Sequence, residues 1–305
     1  MRLDTILDAI GNTPLVRLSR LPPPGTAEVW VKLEALNPGG SAKDRPARAM
    51  IEDAEKRGLL KPGATIVEPT GGNTGIGLAL VSAVKGYKCV LVCPRGTSAE
   101  KIALMRAFGA EVIEARADVD PEHAEGYIGT AQRVAKERGA FHPDQFSNAA
   151  NPRAHIESTA GEILRDLDGR LDVFVACVGS GGTLSGVGKA LKEKLPGLKL
   201  VRVAPLSGTG APGVARQPTA IEGVSAFEPD EAFGCPTIDE VAEVLDADAF
   251  ATAKRMAREE GLLVGGSSGA AVAAALRIAG TLPEKARVVA LCADTGRNYL
   301  GGFLR

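Results

Sequence analysis

The sequence predicts an α/β protein of two doubly wound lobes with parallel-type sheets, and three observations lead to that fold class. Short apolar runs typical of buried strands alternate with longer helix-like segments from residue 29 onward. This alternation indicates parallel strands joined by helical crossovers. A chain of 305 residues that is 45% hydrophobic can bury a large core in each lobe. The alternation of strand-like and helix-like segments is interrupted at residues 141–153, and that interruption predicts a boundary between the lobes.

In the first half, apolar and β-branched runs bounded by Gly or Pro predict the strands, and longer periodic segments predict the helices. A lead-in of residues 1–28 carries a helical turn at 4–10 and a strand at 15–18. The predicted strands that follow are 29–34, 65–68, 89–93 and 111–114, and the predicted helices are 47–57, 74–85, 98–108 and 121–138.

The same pattern resumes after the break. The predicted helices are 154–166, 183–194, 248–260 and 268–279, and the predicted strands are 172–177, 199–203, 241–244 and 287–292. Residues 205–236 are rich in Gly and Pro and are predicted to form a long functional loop. In such folds ligands bind at the carboxyl ends of the strands.

The composition excludes several classes of function. A formal net charge of −1 and an aromatic content of 4% do not favour nucleic acid or a charged membrane surface as partner. The five cysteines are scattered, which predicts reduced thiols in a cytoplasmic protein. Cys89 and Cys93 flank a strand-like run with no second ligand pair, so no metal site is predicted. The N-terminus lacks an apolar signal core, and no apolar run could span a bilayer.

A turn that contains a lysine follows the strand at 29–34. Asn37-Pro38-Gly39-Gly40 lets the backbone bend and approach another group closely, and Lys43 then stands at a strand-to-helix junction. A lysine that leaves bulk water can lose its proton and act as an amine nucleophile. A lone lysine at a helix start is more often a solvated charge, so its assignment depends on the other motifs.

Three further glycine-rich turns fall between predicted strands and helices. They are residues 68–75, 179–183 and 265–269. A run of small residues at a helix N-terminus can direct several N–H groups at one anion. Each turn alone is more often a matter of tight packing than of ligand binding.

The turn at 179–183 has the character of a phosphate site without the signature of a nucleotide site. It lacks the Gly-Lys-Ser/Thr ending of a P-loop, and the next strand ends in Ala204, where a ribose-binding acid would be expected. A phosphate site combined with an amine nucleophile indicates a small phosphorylated carbonyl cofactor. Pyridoxal 5'-phosphate meets that description.

The ordered motifs resemble the cysteine synthase (O-acetylserine sulfhydrylase) family of fold-type II pyridoxal-phosphate enzymes, which have the tryptophan synthase β-like fold. The resemblance extends from Ile10-Gly11-Asn12-Thr13-Pro14 to Tyr299-Leu300, almost the whole chain, and is closest to the cysteine synthase B branch. It implies a larger lobe of residues 1–44 and 145–305 that binds the cofactor and a smaller lobe of residues 45–144 that is mobile and closes on the substrate.

The resemblance also implies a role for each residue at the cofactor. Lys43 corresponds to the Schiff-base lysine, Asn73 to the asparagine beside the cofactor's phenolic oxygen, and Ser267 to the serine that faces the pyridine nitrogen. The residues implied to bind the phosphate are Gly179, Ser180, Gly181, Gly182 and Thr183.

The substrate side follows from the same resemblance. The loop implied to bind the substrate carboxylate contains Thr70, Gly71, Gly72 and Thr74, and Gln145 is implied as a second carboxylate contact. Arg216 matches the second of two adjacent arginines of the cysteine synthase B branch, which adds thiosulfate as a candidate sulfur donor.

The sequence departs from the family at several positions, among them Gly71 and Thr97. Gly71 stands where serine is usual and Thr97 where methionine is usual. The missing hydroxyl predicts that Gly71→Ser tightens amino-acid binding, because a hydrogen bond to a charged group is worth about 1.5–3 kcal/mol.

The implied activity is β-replacement that makes L-cysteine from O-acetyl-L-serine, or O-phosphoserine, and sulfide. Cystathionine β-synthase and serine/threonine dehydratase activities remain alternatives, and a low-activity binding or regulatory member is an alternative of another class. The resemblance implies a homodimer. A complex with serine acetyltransferase would be compatible with the family, but the sequence does not support it.

Overall fold

A computed structural model describes residues 2–207, 219–224 and 233–305 of the chain. It confirms the mixed α/β fold with parallel sheets. The described residues form two compact units. One unit consists of the N-terminal segment up to Ile10 together with Lys43–Asn151, and the other consists of Gly11–Ala42 and Pro152–Arg305. The roles predicted for the lobes, cofactor binding and substrate closure, stay predictions.

The elements follow one another in the predicted alternation. The strands are β1 Leu15–Arg17, β2 Glu28–Leu33, β3 Thr65–Pro69, β4 Lys88–Pro94, β5 Glu111–Ala115, β6 Val173–Cys177, β7 Lys199–Leu206, β8 Glu240–Leu245 and β9 Arg287–Cys292. The helices are α1 Asp44–Lys56, α2 Asn73–Lys85, α3 Ala99–Ala107, α4 Tyr127–Arg138, α5 Ala150–Ala154, α6 Ala160–Asp166, α7 Gly182–Lys194, α8 Asp246–Arg255 and α9 Gly266–Ala279. Short 3-10 turns lie at Ile6–Ala9, Glu34–Leu36 and Gly296–Tyr299.

The unit that begins at Lys43 is built on the parallel sheet β3-β4-β5. Alternate residues of its strands enter two separate cores, because successive side chains of a strand point to opposite faces. Ile66 and Leu91 pack with Met50 of α1 and Ile76 of α2. On the other face, Val67, Val90 and Val92 pack with Ala131 and Val134 of α4. The sheet is therefore covered by helices on both faces.

The second unit is built on a six-stranded sheet of order β1-β2-β9-β6-β7-β8, in which only the edge pair β1-β2 is antiparallel. Val173 and Val175 of β6 face the alanine-rich helix α9. Phe174 and Ala176 face the opposite core, which contains residues of α6 and α7. Burial on both faces explains why these strands read as continuous apolar runs.

The structure corrects three predicted helices. The helix predicted over 121–138 begins at Tyr127, because residues 120–126 form turns in which the Asp120 carboxylate accepts from the N–H of Glu122. The helices predicted over 154–166 and 248–260 each contain a π-helical turn, at His155–Thr159 and Met256–Glu260. Part of the predicted loop at 205–236 lies outside the described residues.

The described ranges contain neither a membrane-spanning helix nor a cluster of metal-ligating side chains. No helix there is long and apolar enough to cross a membrane. The same residues contain no cluster of three or more His, Cys, Asp or Glu side chains that could hold a metal ion.

Candidate active site

Lys43 lies at the start of α1. The residues before it are anchored to the end of β9, since the N–H of Ala42 donates to the carbonyl of Ala293 at 2.8 Å and Ser41 pairs with Asp294. The carbonyl of Lys43 accepts from the N–H of Ala47 and begins the helix. Desolvation of the half-buried side chain lowers the pKa of Lys43 to about 8. At neutral to mildly alkaline pH a substantial share of this amine is therefore uncharged and nucleophilic.

The predicted carboxylate loop connects β3 to α2. Gly72 is the N-cap residue of α2, and no side chain caps this helix. The Thr74 hydroxyl donates to Oε1 of Gln145 at 2.6 Å, so the loop and the predicted second carboxylate contact lie together. Thr70, Thr74 and Gln145 are buried, whereas Gly71, Gly72 and Asn73 are half-buried.

Glu68, at the end of β3, positions Gln145. Its carboxylate is buried and accepts from the N–H groups of Asp144 at 2.9 Å and Gln145 at 3.1 Å. Nε2 of His142 lies 3.3 Å from the same carboxylate. Burial alone would lower the pKa of His142, but the carboxylates of Glu68 and Asp144 outweigh burial and the pKa is raised. Glu68 thus links His142 to the backbone of Gln145, whose side chain contacts Thr74 of the loop.

Gly71 is in close contact with two side chains. A Cβ built on Gly71 would lie 2.6 Å from Oγ1 and 2.8 Å from Cγ2 of Thr97, and 2.9 Å from Cβ of Cys93. Such distances are too short for unstrained packing. Gly71→Ser therefore cannot simply restore a hydroxyl to this loop, and the predicted tightening of amino-acid binding is revised. Gly71 and Thr97, which both depart from the family, are in contact, and the glycine leaves room for the Thr97 side chain.

The predicted phosphate loop leads from β6 into α7. Gly181 is the N-cap residue of α7 with a φ of 88°, which favours glycine, and no side chain caps this helix. A Cβ at Gly179 would lie 2.5 Å from the carbonyl oxygen of Gly223. Ser180, Gly181, Gly182 and Thr183 are buried. Small residues, hydroxyl groups and a helix N-terminus meet here, as binding of a phosphate group requires.

Ser267 lies in the first turn of α9. Its carbonyl accepts from Sγ of Cys177, the last residue of β6, at 3.3 Å. Ser267 and the phosphate loop therefore lie at the same edge of the six-stranded sheet. The N-cap residue of α9, Gly265, packs so closely against Asp294 that a side chain there would overlap with it. The carboxylate of Asp294 in turn accepts from the hydroxyl of Tyr299 at 2.6 Å.

The sequence analysis missed His155, a buried residue of the π-helical turn. Its Nε2 lies 3.1 Å from Oγ1 of Thr183 in the phosphate loop, and its Nδ1 lies 3.0 Å from Oγ1 of Thr159. Asn151, Thr159 and Glu162 of the same helical segment are also polar and buried, so no pattern in the sequence singles out His155. Arg216, the predicted contact to the sulfur donor, lies outside the described residues.

Comparison with protein families shows the family to which the chain belongs. A family model described as "Pyridoxal-phosphate dependent enzyme" matches residues 6–294. The chain belongs to this family. Its members depend on pyridoxal phosphate, which confirms the predicted cofactor.

Individual relatives within the pyridoxal-phosphate family show which of its enzymes this chain resembles. A probable cysteine synthase of Bacillus subtilis is 46% identical over 96% of this chain and 94% of its own length. A cystathionine beta-synthase of Apis mellifera is 44% identical over 98% of this chain, which spans 61% of that protein's length. The crystal structure of an O-acetylserine dependent cystathionine beta-synthase from Helicobacter pylori is 39% identical with a TM-score of 0.89, over 99% of this chain and 98% of that one. The resemblance to the cysteine synthase family is confirmed.

The residues described above fit the pyridoxal-phosphate cofactor of the family. The loop before α7 offers backbone N–H groups, the Ser180 and Thr183 hydroxyls and an αL glycine that no larger residue would replace without strain. Lys43 offers an amine whose pKa of about 8 favours covalent attachment to a carbonyl. A phosphate-binding loop and an amine, the two features needed to bind a phosphorylated aldehyde, are thus present.

Proposed function

We propose that this protein catalyses β-replacement on an O-substituted L-serine, making L-cysteine from O-acetyl-L-serine, or O-phosphoserine, and sulfide. The observation that carries the proposal is the position of Lys43, half-buried at the start of α1 and directly after a segment held to the end of β9, in a chain of the pyridoxal-phosphate family. The B. subtilis relative named a probable cysteine synthase supports the product. The H. pylori structure, named as O-acetylserine dependent, supports the donor.

Lys43 has two tasks in this proposal. Its uncharged amine attaches the cofactor, and after the substrate has displaced it, Nζ takes the proton from the substrate α-carbon as general base. Bound pyridoxal phosphate supplies an electron sink that stabilises negative charge at that carbon. The leaving group departs from the β-carbon, the sulfur nucleophile adds there, and Nζ of Lys43 returns the proton to the α-carbon. A pKa of about 8 suits a group that must both accept and donate this proton.

The loop at Thr70–Thr74 and Gln145 orient the substrate through its carboxylate. The uncapped N-terminus of α2 favours an anion there, and the Thr74–Gln145 hydrogen bond holds the two contacts in one arrangement. A carboxylate fixed on this loop would hold the α-C–H bond in a constant direction for the base. Asn73, which begins α2, is assigned to the cofactor's phenolic oxygen.

Ser267 is assigned to the pyridine nitrogen. A neutral hydroxyl there does not hold a proton on the ring as a carboxylate would. The electron sink is weaker in consequence, which favours elimination at the β-carbon over transamination.

Cystathionine β-synthase activity is the second candidate, because the A. mellifera and H. pylori relatives both carry that name. It differs from the first only in the sulfur nucleophile, which would be homocysteine. A serine/threonine dehydratase would need no nucleophile and would release a keto acid.

A substrate panel separates these activities. O-acetylserine, O-phosphoserine, serine and threonine are each assayed with sulfide, thiosulfate, homocysteine and no nucleophile. We expect the highest turnover with O-acetylserine and sulfide. If homocysteine were the only nucleophile that gave turnover, the result would assign the second candidate. Keto-acid release without a nucleophile would assign the dehydratase. Cofactor binding without any turnover would leave a binding or regulatory role.

The family resemblance supports a homodimer, and the scattered cysteines support a cytoplasmic location. The protein is proposed to act as a homodimer in the cytoplasm. Sedimentation of the purified protein tests the assembly, and cell fractionation tests the location.

The sulfur donor can be tested through Arg216. A guanidinium near the substrates would give thiosulfate a charge-assisted contact that sulfide does not need. Arg216→Ala should then reduce the rate with thiosulfate while the rate with sulfide remains. Equal losses for both donors would remove thiosulfate from the proposal.

A further inference from the structure

Asp246, the first residue of α8, is a buried carboxylate for which the proposed chemistry has no task. Its Oδ1 accepts from the Thr219 hydroxyl at 2.6 Å, and its Oδ2 accepts from the N–H of Ala220 at 2.7 Å. Oγ1 of Thr219 also accepts from the N–H of Ile221 at 3.0 Å. Both carboxylate oxygens therefore hold the start of residues 219–224, the anchored segment, which has no helix or strand structure of its own.

The anchored segment touches two elements that are assigned to the cofactor. Its Ile221 is buried, and Cγ2 of this residue would lie 3.5 Å from a Cβ built on Gly266, the residue before Ser267. The carbonyl oxygen of Gly223 would lie 2.5 Å from a Cβ built on Gly179, the first residue of the phosphate loop. The segment therefore packs against the first turn of α9 and against the phosphate loop.

Close packing fixes α8 against α9. Gly269 of α9 lies so near the backbone carbonyl of Ala249 that a Cβ would overlap with it, and the same Cβ would lie 2.9 Å from Cβ of Ala253. The start of α8 is therefore held in place relative to the first turn of α9. The carboxylate of Asp246 transfers this position to the anchored segment and, through the carbonyl of Gly223, to the phosphate loop.

The first turn of α8 contains a second carboxylate for comparison. An acidic residue in a first turn commonly acts on the helix dipole alone, and Asp248, which is exposed, is placed to do so. Asp246 differs because it is buried and receives two hydrogen bonds from outside the helix. A buried carboxylate is costly unless it is hydrogen-bonded, so Asp246 and the anchored segment stabilise each other.

We propose that Asp246 is a positioning residue for cofactor binding: by holding the anchored segment it keeps the carbonyl of Gly223 against Gly179 and the phosphate loop in the shape that receives the phosphate. The inference rests on the proposed assignment of Gly179–Thr183 to the phosphate. Without the Asp246 contacts the phosphate should be held less tightly, while Lys43 still attaches the cofactor.

Two properties of the cofactor-loaded protein test the role of Asp246: the rate at which the cofactor is lost on dilution, and the ³¹P shift of the bound phosphate. Asp246→Ala removes both contacts and should lose the cofactor about tenfold faster, with a changed ³¹P shift. Borohydride reduction of this variant should still label Lys43. Both properties need only the bound cofactor, so they do not depend on which substrates the enzyme turns over.

Two milder variants keep the test informative if Asp246→Ala does not fold. In Asp246→Asn, Oδ1 can still accept from the N–H of Ala220 while Nδ2 donates to Oγ1 of Thr219, so both properties should lie close to those of the parent. Thr219→Val removes one of the two contacts and should change both properties in the same direction as Asp246→Ala. The effects of Thr219→Val and Asp246→Ala should not add in the double variant, because both break the same contact.

Asp248→Ala is the matched control, because it removes an acidic residue from the same helical turn without touching the anchored segment. Both properties should equal those of the parent. Equal effects of Asp248→Ala and Asp246→Ala would overturn the proposal, since the helix dipole would then explain them.

Other results would also overturn the proposal. If Asp246→Ala or Thr219→Val lowered the free energy of unfolding but left the rate of cofactor loss and the ³¹P shift unchanged, the role of Asp246 would be structural only. Thr183→Val separates the two assignments. If it changed neither property, the phosphate assignment would fail together with the role of Asp246. If it acted and the Asp246 and Thr219 variants did not, only the role of Asp246 would fail.

Discussion

Contacts with Thr97 and Cys93 explain the glycine at position 71. A Cβ there would meet Oγ1 and Cγ2 of Thr97 and Cβ of Cys93 at 2.6–2.9 Å. The Thr97 hydroxyl is itself held by donation to the carbonyl of Pro94 at 2.8 Å. The sequence shows that a hydroxyl is missing from the loop, but not that another side chain fills its place. A substitution at one of these two positions therefore has to be interpreted together with the other.

Gly71→Ser should destabilise the protein by about 1–3 kcal/mol, the usual range for overpacking, and should not tighten amino-acid binding. The penalty should be smaller in the Thr97→Ala background, since two of the three short contacts involve Thr97 atoms that Ala lacks. Chemical unfolding of the four proteins measures this coupling. An equally stable Gly71→Ser with tighter binding would restore the original expectation.

His142 predicts a pH dependence of stability. Its folded-state pKa is raised by Glu68 and Asp144, so protonated His142 stabilises the fold below the unfolded pKa. That contribution is lost as the pH rises through the folded-state pKa. The free energy of unfolding of the parent, minus that of His142→Gln, should therefore fall as the pH rises above about 6.5, the ordinary pKa of a histidine. A difference that rises with pH would contradict the assignment.

At the level of elements, three helices that carry proposed site residues begin at a glycine N-cap without a side-chain cap. These N-cap residues are Gly72 of α2, Gly181 of α7 and Gly265 of α9. A Ser or Asp cap would occupy the N–H groups of the first turn with the protein's own oxygen. Glycine supplies no such oxygen, so the N–H groups and the helix dipole can act on an external anion. Glycine-rich turns between strands and helices are visible in the sequence, so these candidate anion sites could be predicted from it.

Gly181→Ala tests this feature in α7. Its φ of 88° should make the alanine variant less stable by about 1–2 kcal/mol, the cost of the left-handed conformation, and cofactor affinity should fall with it. Gly197→Ala is the control, because Gly197 is exposed and a Cβ there meets nothing within 4 Å. Equal stability and equal cofactor affinity of the two variants would show that the left-handed conformation of Gly181 is not required.

Helix continuity was the part of the fold that the sequence did not reveal. Apolar periodicity predicted one helix over 154–166, yet a π-helical turn at His155–Thr159 interrupts it. One extra residue in a turn barely changes the hydrophobic pattern, so periodicity cannot locate it. The contact of His155 with Thr183 spans 28 residues and depends on that turn. Strands and glycine turns, by contrast, follow from local composition.

Across the whole molecule, the chain passes between the two units after Ile10, after Ala42 and after Asn151. Lys43 is the first residue beyond one of these crossings. The segment before it pairs with the end of β9, while Lys43 itself begins α1. The motif around Lys43 can be located in the sequence. The adjoining unit boundary cannot, because membership of a unit depends on contacts between distant segments.

The central claim is that Lys43 attaches pyridoxal phosphate, and borohydride reduction followed by peptide mapping tests it most directly. The purified protein should be yellow, and reduction should leave a single pyridoxyl group on Lys43. The rate of attachment to apoprotein should rise with pH through about 8, as the amine loses its proton. Lys43→Ala should bind the cofactor without a covalent bond and lose all turnover. A label on another lysine, or a protein that takes up no cofactor, would contradict the account.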